Sequence, residues 1–159
     1  MNLLASLFAG AREASSVRED SSDDQRHLRN ALARYATGVT VVTTRSPDGK
    51  LEGLTANSFT PVSLDPPLVL WSLKQNAPSL AGFLAAGHFA VNVLAASHGE
   101  LCRHFATPNN DKFNGIPHAP GLEGCPLILD ALATFECSTE NRVTGGDHMV
   151  FFGRVLRAT

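Results

Sequence analysis

Two stretches of this chain carry residue types that could do chemistry. The first runs Leu54-Thr55-Ala56-Asn57-Ser58-Phe59-Thr60-Pro61-Val62-Ser63-Leu64-Asp65-Pro66-Pro67-Leu68-Val69 and sets small, hydroxylated residues at the end of an expected strand. Side chains that short leave the backbone approachable by a flat ring, and N–H groups there can donate to the carbonyl oxygens of a planar heterocycle. Alone, the stretch reads more simply as a strand, a polar turn and a Pro-Pro stop. The second runs Gly145-Gly146-Asp147-His148-Met149-Val150-Phe151-Phe152-Gly153-Arg154-Val155. Its glycines let the backbone pass close to a neighbour, and His148 then opens an apolar strand. Alternation along a strand puts Asp147 and His148 on opposite faces, so Asp147 is not expected to orient the histidine. Alone, His148 reads as a histidine that caps a strand.

No GxGxxG, GxxxxGK[ST], HExxH or GxSxG occurs, so chemistry here must come from a bound cofactor or from scattered residues. His98, Cys102 and His104 look metal-like, but on a helix they cannot share one face, and no metal site is expected. His27, His88 and His118 read as surface or strand-edge residues. Cys137 follows Phe135 and Glu136 in a strand and reads as packing.

The elements that must position these residues are mostly β. Residues 11–24 are rich in Ser, Asp, Glu and Arg, and residues 1–24 are expected to form a loose tail rather than a signal peptide. Leu28, Ala31, Leu32 and Tyr35 predict a short amphipathic helix from Asp23 to about Tyr35. β-branched Val39–Thr44 predicts a strand, Ser46-Pro47-Asp48-Gly49 a type I turn, and Leu51–Asn57 a strand pairing back. Leu68–Leu73 reads as a buried strand after the Leu64-Asp65-Pro66-Pro67 break. A helix follows with Asn76 as N-cap, Pro78 in its first turn and Gly87 beyond its end. Phe89–Leu94 is a further strand, and Ser97 to Glu100 has capping-box spacing for a helix reaching Phe105. Residues 106–126 read as one long loop, and strands are expected around Ala131–Thr139 and His148–Leu156. With no βαβ alternation, the pattern is a mainly β, antiparallel barrel with a few helices.

Composition narrows the function further. The 159 residues are 43% hydrophobic, enough for one core, and carry a net charge of −2 with no Lys/Arg block. A nucleic-acid surface is therefore not expected. No apolar run approaches a membrane span. Three separated cysteines, Cys102, Cys125 and Cys137, suit reduced thiols in a cytoplasm.

Taken in order, RYATGVTVVTT, GLTANSFTPVSLDPPLVLWSL, FAVNVL and GGDHMVFFGRV resemble the motifs of the short-chain NAD(P)H:flavin reductases. These are the reductase components of two-component flavin-dependent monooxygenases, and the resemblance covers about Leu28 to Thr159. It implies an FMN-binding split β-barrel with Greek-key-like antiparallel strands over residues 25–159. It also implies hydride transfer from NADH or NADPH to FMN or FAD, a homodimer, and a partner oxygenase reached by diffusing reduced flavin. The resemblance places the isoalloxazine ring against Thr55, Ala56, Asn57 and Ser58. Ser72, Lys74 and Ser79 fall on the side of the ribityl chain and phosphate, and Phe105, Lys112 and Phe113 near the flavin tail. Asp147 and His148 fall at the nicotinamide, His148 being the residue linked to hydride transfer. Family members usually continue past the position of Thr159, so the chain is expected to be short at its C-terminus, leaving Phe151–Leu156 as an exposed edge. Two alternatives share the barrel: a non-catalytic flavin carrier or sensor, and an enzyme like the pyridoxamine-phosphate oxidases. The latter needs a second basic phosphate pocket that the sequence does not reveal.

Overall fold

A computed structural model describes residues 22–159 in two compact units, one ending at Ala36 and the other spanning Thr37–Thr159. The described part of the first holds helix α1 (Ser22–Leu32), with Asp23 and Asp24 in its first turn and Arg29 in its last. That order complements the helix dipole. The helix stops at Leu32, short of the expected Tyr35, and turn bonds from the Arg34 and Tyr35 N–H groups follow. The loose tail expected before it lies, up to residue 21, outside the described residues.

The second unit is built on one seven-stranded antiparallel sheet. Its strands are β1 (Thr40–Arg45), β2 (Leu51–Ala56), β3 (Thr60–Leu64), β4 (Pro67–Lys74), β5 (His88–Val93), β8 (Ala133–Gly145) and β9 (His148–Ala158), in the order β2-β1-β5-β8-β9-β4-β3. A two-stranded ribbon, β6 (His118–Pro120) with β7 (Pro126–Ile128), and helices α2 (Leu80–Ala85) and α3 (Gly99–Ala106) complete it. The ladders do not close, which leaves β2 and β3 as edges. The core nevertheless draws on β1, β2, β4, β5, β8 and β9 together, as a split barrel does. No described helix is long and apolar enough to cross a membrane.

β1 shows why the sheet holds. It is buried through its first five residues, and alternation splits it between two cores. Val42 faces a cluster centred on Trp71, which stacks on Phe151 at 4.7 Å and 11° and meets Phe83 and Phe89 edge-on. Val41 faces Phe105, Phe113, Leu94 and Ile128. The buried threonines donate to carbonyls: Thr40 to Ala56 O at 2.9 Å and Thr44 to His88 O at 2.6 Å. Buried Asn92 donates to Val41 O and accepts from the Ile128 N–H, both at 2.9 Å, so no cost of an unmade bond remains there.

Several elements differ from expectation. β3 stands where the sequence suggests a polar turn, and it pairs with β4, with a register shift between Pro61 and Ser63. α2 starts after Ser79 rather than Asn76: the segment before it makes turn bonds instead, from the Ala77 N–H to Lys74 O and from the Leu80 N–H to Ala77 O. No Ser97 cap forms before α3. A 3₁₀ turn at Ala96–His98 precedes it, and the Ala95 N–H donates to His98 Nδ1 at 3.2 Å. The 106–126 loop contains β6 and a 3₁₀ turn at Leu122–Gly124. Finally, β9 is not an edge: β4 and β8 flank it on both sides.

Candidate functional site

A cavity of about 350 Å³ opens where β2, β4, α3 and the loop after it meet. Its wall contains Ser72, Lys74, Ser79, Phe105, Lys112 and His148, six of the residues the sequence singled out. Residues 50, 52 and 54 bring Lys50, Glu52 and Leu54 to the same face by strand alternation. Leu73, Ala77 and Pro78 add apolar surface.

Each polar group is held by identifiable contacts. Lys112 Nζ donates to Phe105 O at 2.8 Å, at the C-terminal end of α3, where a cation suits the helix dipole. His104 Nε2 donates to Lys112 O at 2.7 Å, so the loop is stitched to α3 at two points. Burial pushes the Lys112 ammonium below the usual lysine range, against the opposite pull of the Glu52 carboxylate. Lys50 and Glu52 form an ion pair at 2.6 Å; the Glu52 side chain is 15% exposed and sits against Gly82 of α2. The Glu52 bond, more than its charge, raises the Lys50 pKa.

His148 begins β9 directly opposite Lys74 of β4. Its Nδ1 lies 2.7 Å from Asp147 Oδ1, which corrects the expectation that the two residues diverge. Asp147 is not in the strand. It occupies a two-residue turn with Gly146, whose φ of +58° suits glycine at the first position of a type II′ hairpin. The bond to His148 lowers the Asp147 carboxyl below its usual range, more than the charge does.

The other nominated residues stand outside the lining. Thr55 donates to Cys102 O at 2.7 Å and ties β2 to α3. Ala56 is buried in the Trp71 core, Asn57 is exposed, and Phe113 packs on Phe105. Ser58 touches the wall indirectly: its Oγ accepts from the Ser72 N–H at 2.9 Å and donates to Ser72 O at 3.3 Å. Among the described residues no cluster of His, Cys, Asp or Glu could hold a metal ion.

Sequence reasoning missed Lys50, Glu52 and the Asn109-Asn110 loop. Alternation along 50–54 was available, but nothing local says which face of β2 sees a cavity.

Known proteins converge on one family. The flavin reductase like domain matches residues 32–159. FMN reductase (NADH) SmoA of Agrobacterium fabrum is 44% identical over 136 residues, 86% of this chain and 77% of that protein. The reductase subunit HsaB of a Rhodococcus jostii flavin-dependent monooxygenase is 41% identical over 132 residues, 83% of this chain and 67% of that one. Streptomyces globisporus NADH:FAD oxidoreductase SgcE6, solved with NAD and FAD fragments, superposes with a TM-score of 0.81 at 40% identity. The match covers 89% of this chain and 86% of that one. Some relatives are longer: the chain spans 42% and 57% of two from Rhizobium meliloti. The open antiparallel barrel and the match over residues 32–159 agree, and the chain belongs to the flavin reductase like domain family.

Proposed function

We propose that this chain is an NAD(P)H-dependent flavin reductase that takes FMN or FAD and supplies reduced flavin to a partner monooxygenase. The observation that carries the reading is the single cavity on which Ser72, Lys74, Ser79, Lys112 and His148 converge. Its chemistry fits a flavin. Leu54, Leu73, Ala77 and Pro78 suit the faces of a flat ring, and three lysines suit a phosphate. SmoA is named for FMN and NADH, SgcE6 was solved with FAD and NAD fragments, and HsaB serves a monooxygenase.

In this reading Ser72, Lys74, Ser79, Phe105 and Lys112 hold the flavin, with Phe113 supporting Phe105 from behind. Ser58 joins through its two bonds to Ser72, while Thr55, Ala56 and Asn57 lead up to it from outside the lining. Bound flavin supplies an acceptor for the hydride of reduced nicotinamide. No side chain need act as a nucleophile, so the protein's work is alignment and charge. His148 meets the nicotinamide end, with Asp147 holding Nδ1 and leaving the other ring nitrogen for the ligand. The reading includes a homodimer, for which exposed Leu64 and Leu132 offer apolar surface, and a cytoplasmic home for three free thiols.

The test follows the nicotinamide absorbance of NADH and NADPH with FMN and FAD in turn. Acceleration over a protein-free control is expected, with flavin saturating as substrate or cofactor. His148→Ala should raise the KM for NADH while leaving flavin binding intact. A folded sample that leaves flavin and reduced nicotinamide unreacted sinks the reading, and a monomer in sedimentation with flavin present removes the dimer.

A further inference from the structure

The hairpin that presents His148 is held from outside by a residue with no place in the chemistry above. β4 and β9 stay in register as far as Lys74 opposite His148, and Gln75 is the next residue. Its N–H donates to Asp147 O at 2.9 Å, which carries the ladder one bond onto the turn. Its side chain reaches further, with Nε2 donating to Gly146 O at 2.9 Å. The amide nitrogen must be the donor, because a carbonyl oxygen only accepts.

Gly146 O belongs to the central peptide of the turn closed by the Gly145 and His148 pair. Types I′ and II′ of such a turn differ by a flip of that peptide, and the flipped form would force Asp147 to positive φ. Glycine at 146 suits both forms and Asp is among the residues that tolerate positive φ, so sterics alone oppose the flip only weakly. A bond to Gly146 O opposes it directly. The same peptide sets where the Asp147 side chain starts, and its carboxylate accepts from His148 Nδ1 at 2.7 Å.

We propose that Gln75 is a positioning residue that locks the central peptide of the 145–148 turn, keeps Asp147 on His148 Nδ1, and so decides which ring nitrogen of His148 meets the cavity. The functional consequence rests on the reading of His148 as the nicotinamide-side residue; the structural one does not. Other charged groups near the pair are Lys74 opposite His148 and Lys50, Glu52 and Lys112 on the far cavity wall.

The test uses Gln75→Ala, Gln75→Glu, which keeps the size but loses the donor, and Gln75→Arg, which restores an N–H donor. Nitrogen-15 histidine spectra of the full chain without flavin, assigned through His148→Ala, read the tautomer directly. Wild type and Q75R should show His148 protonated at Nδ1, and Q75A and Q75E a mixture. With NADH and FMN, Q75A should raise the KM for NADH about three- to tenfold, the scale of one hydrogen bond, with kcat nearly unchanged and Q75R restoring it. Gln75 is exposed, so the thermal midpoint should stay close to wild type. Unchanged His148 spectra in Q75A and Q75E overturn the proposal whatever the activity, as does a fall in midpoint on the scale of a core deletion. Altered spectra in a protein whose wild type reduces no flavin would uphold the positioning role and reject the reductase reading.

Discussion

Gly53 is where β2 lets α3 come close, and adding one methyl group there tests that packing. A Cβ at residue 53 would lie 2.7 Å from Phe105 Cε1, 3.0 Å from its Cδ1 and 3.1 Å from Phe113 Cζ. Ordinary contact begins near 3.4 Å, so the nearest ring edge must retreat by the difference between 2.7 and 3.4 Å. It has little space to do so. Phe105 is fully buried, and Phe113 stands behind it with ring centroids 5.2 Å apart at 63°. Overpacking of this kind costs about 1–3 kcal/mol. Against that, alanine narrows the unfolded ensemble by about 0.4–1 kcal/mol relative to glycine. Gly53→Ala should therefore lose about 1–2 kcal/mol, a drop in midpoint of roughly 3–8 °C for a domain of this size. Gly87→Ala is the control, since nothing lies within 4 Å of its Cβ position. Paired thermal melts decide the matter, and Gly53→Ala combined with Phe105→Leu should recover part of the loss. The variant should also bind flavin more weakly, because Phe105 O carries the Lys112 bond at the cavity wall. A Gly53→Ala protein as stable as Gly87→Ala would refute the reasoning.

Other consequences are simpler to state. Burial lowers the Lys112 pKa, so the unfolded chain binds more protons there than the folded one, and stability rises with pH through the folded value toward 10.5. Lys112→Met should lack that rise, and the difference in midpoint between wild type and variant should grow in favour of wild type as pH approaches 10.5. A difference flat in pH contradicts it. Burial pushes Cys137 up to about 12 and raises Cys125, so a thiol reagent at mildly alkaline pH should modify only half-buried Cys102 until denaturant is added. Rapid modification of all three in the native protein would speak against the burial described. Buried Glu136 accepts from Arg157 at 2.7 Å and from the Leu122 N–H at 2.6 Å. Glu136→Ala leaves the half-buried Leu122 N–H without its acceptor, while exposed Arg157 turns to water, and should cost about 1–3 kcal/mol in denaturant titration.

What could be read from sequence were the elements whose evidence is local. The run Thr40-Val41-Val42-Thr43-Thr44 is β-branched because a central strand is buried on both faces, and β1 is where that run stands. β3 escaped because Pro61, Pro66 and Pro67 argue against a strand, yet Pro61 is tolerated on a sheet edge. The β6–β7 ribbon escaped because three-residue strands, with Pro120 paired to Pro126, show no period at all. β8 flanks β9 through a local hairpin, but the other neighbour, β4, is set by long-range pairing, so the expected exposed edge was unreadable from the residues themselves.

The site divides along the same line. Asp147 was misplaced because alternation was applied one residue before the strand begins, where the turn turns its carboxylate onto His148. Lys50 and Glu52 went unnoticed for the opposite reason: their alternation with Leu54 was visible, but α2 and the post-α3 loop make that face a wall only once folded. Their presence alters the electrostatic argument. Three lysines line the cavity, and among the described residues only Lys50 has a carboxylate within 4.0 Å. Lys112 is spent on a carbonyl, which offsets no charge, and Lys74 faces the rim beside His148. A neutral ring by itself would give such a wall nothing to balance. Under the proposed reading, these ammonium groups act on the ligand's phosphates, and the apolar stretch Leu54, Leu73, Ala77 and Pro78 acts on its ring. The two kinds of contact should then separate by salt: raising ionic strength weakens the first and leaves the second.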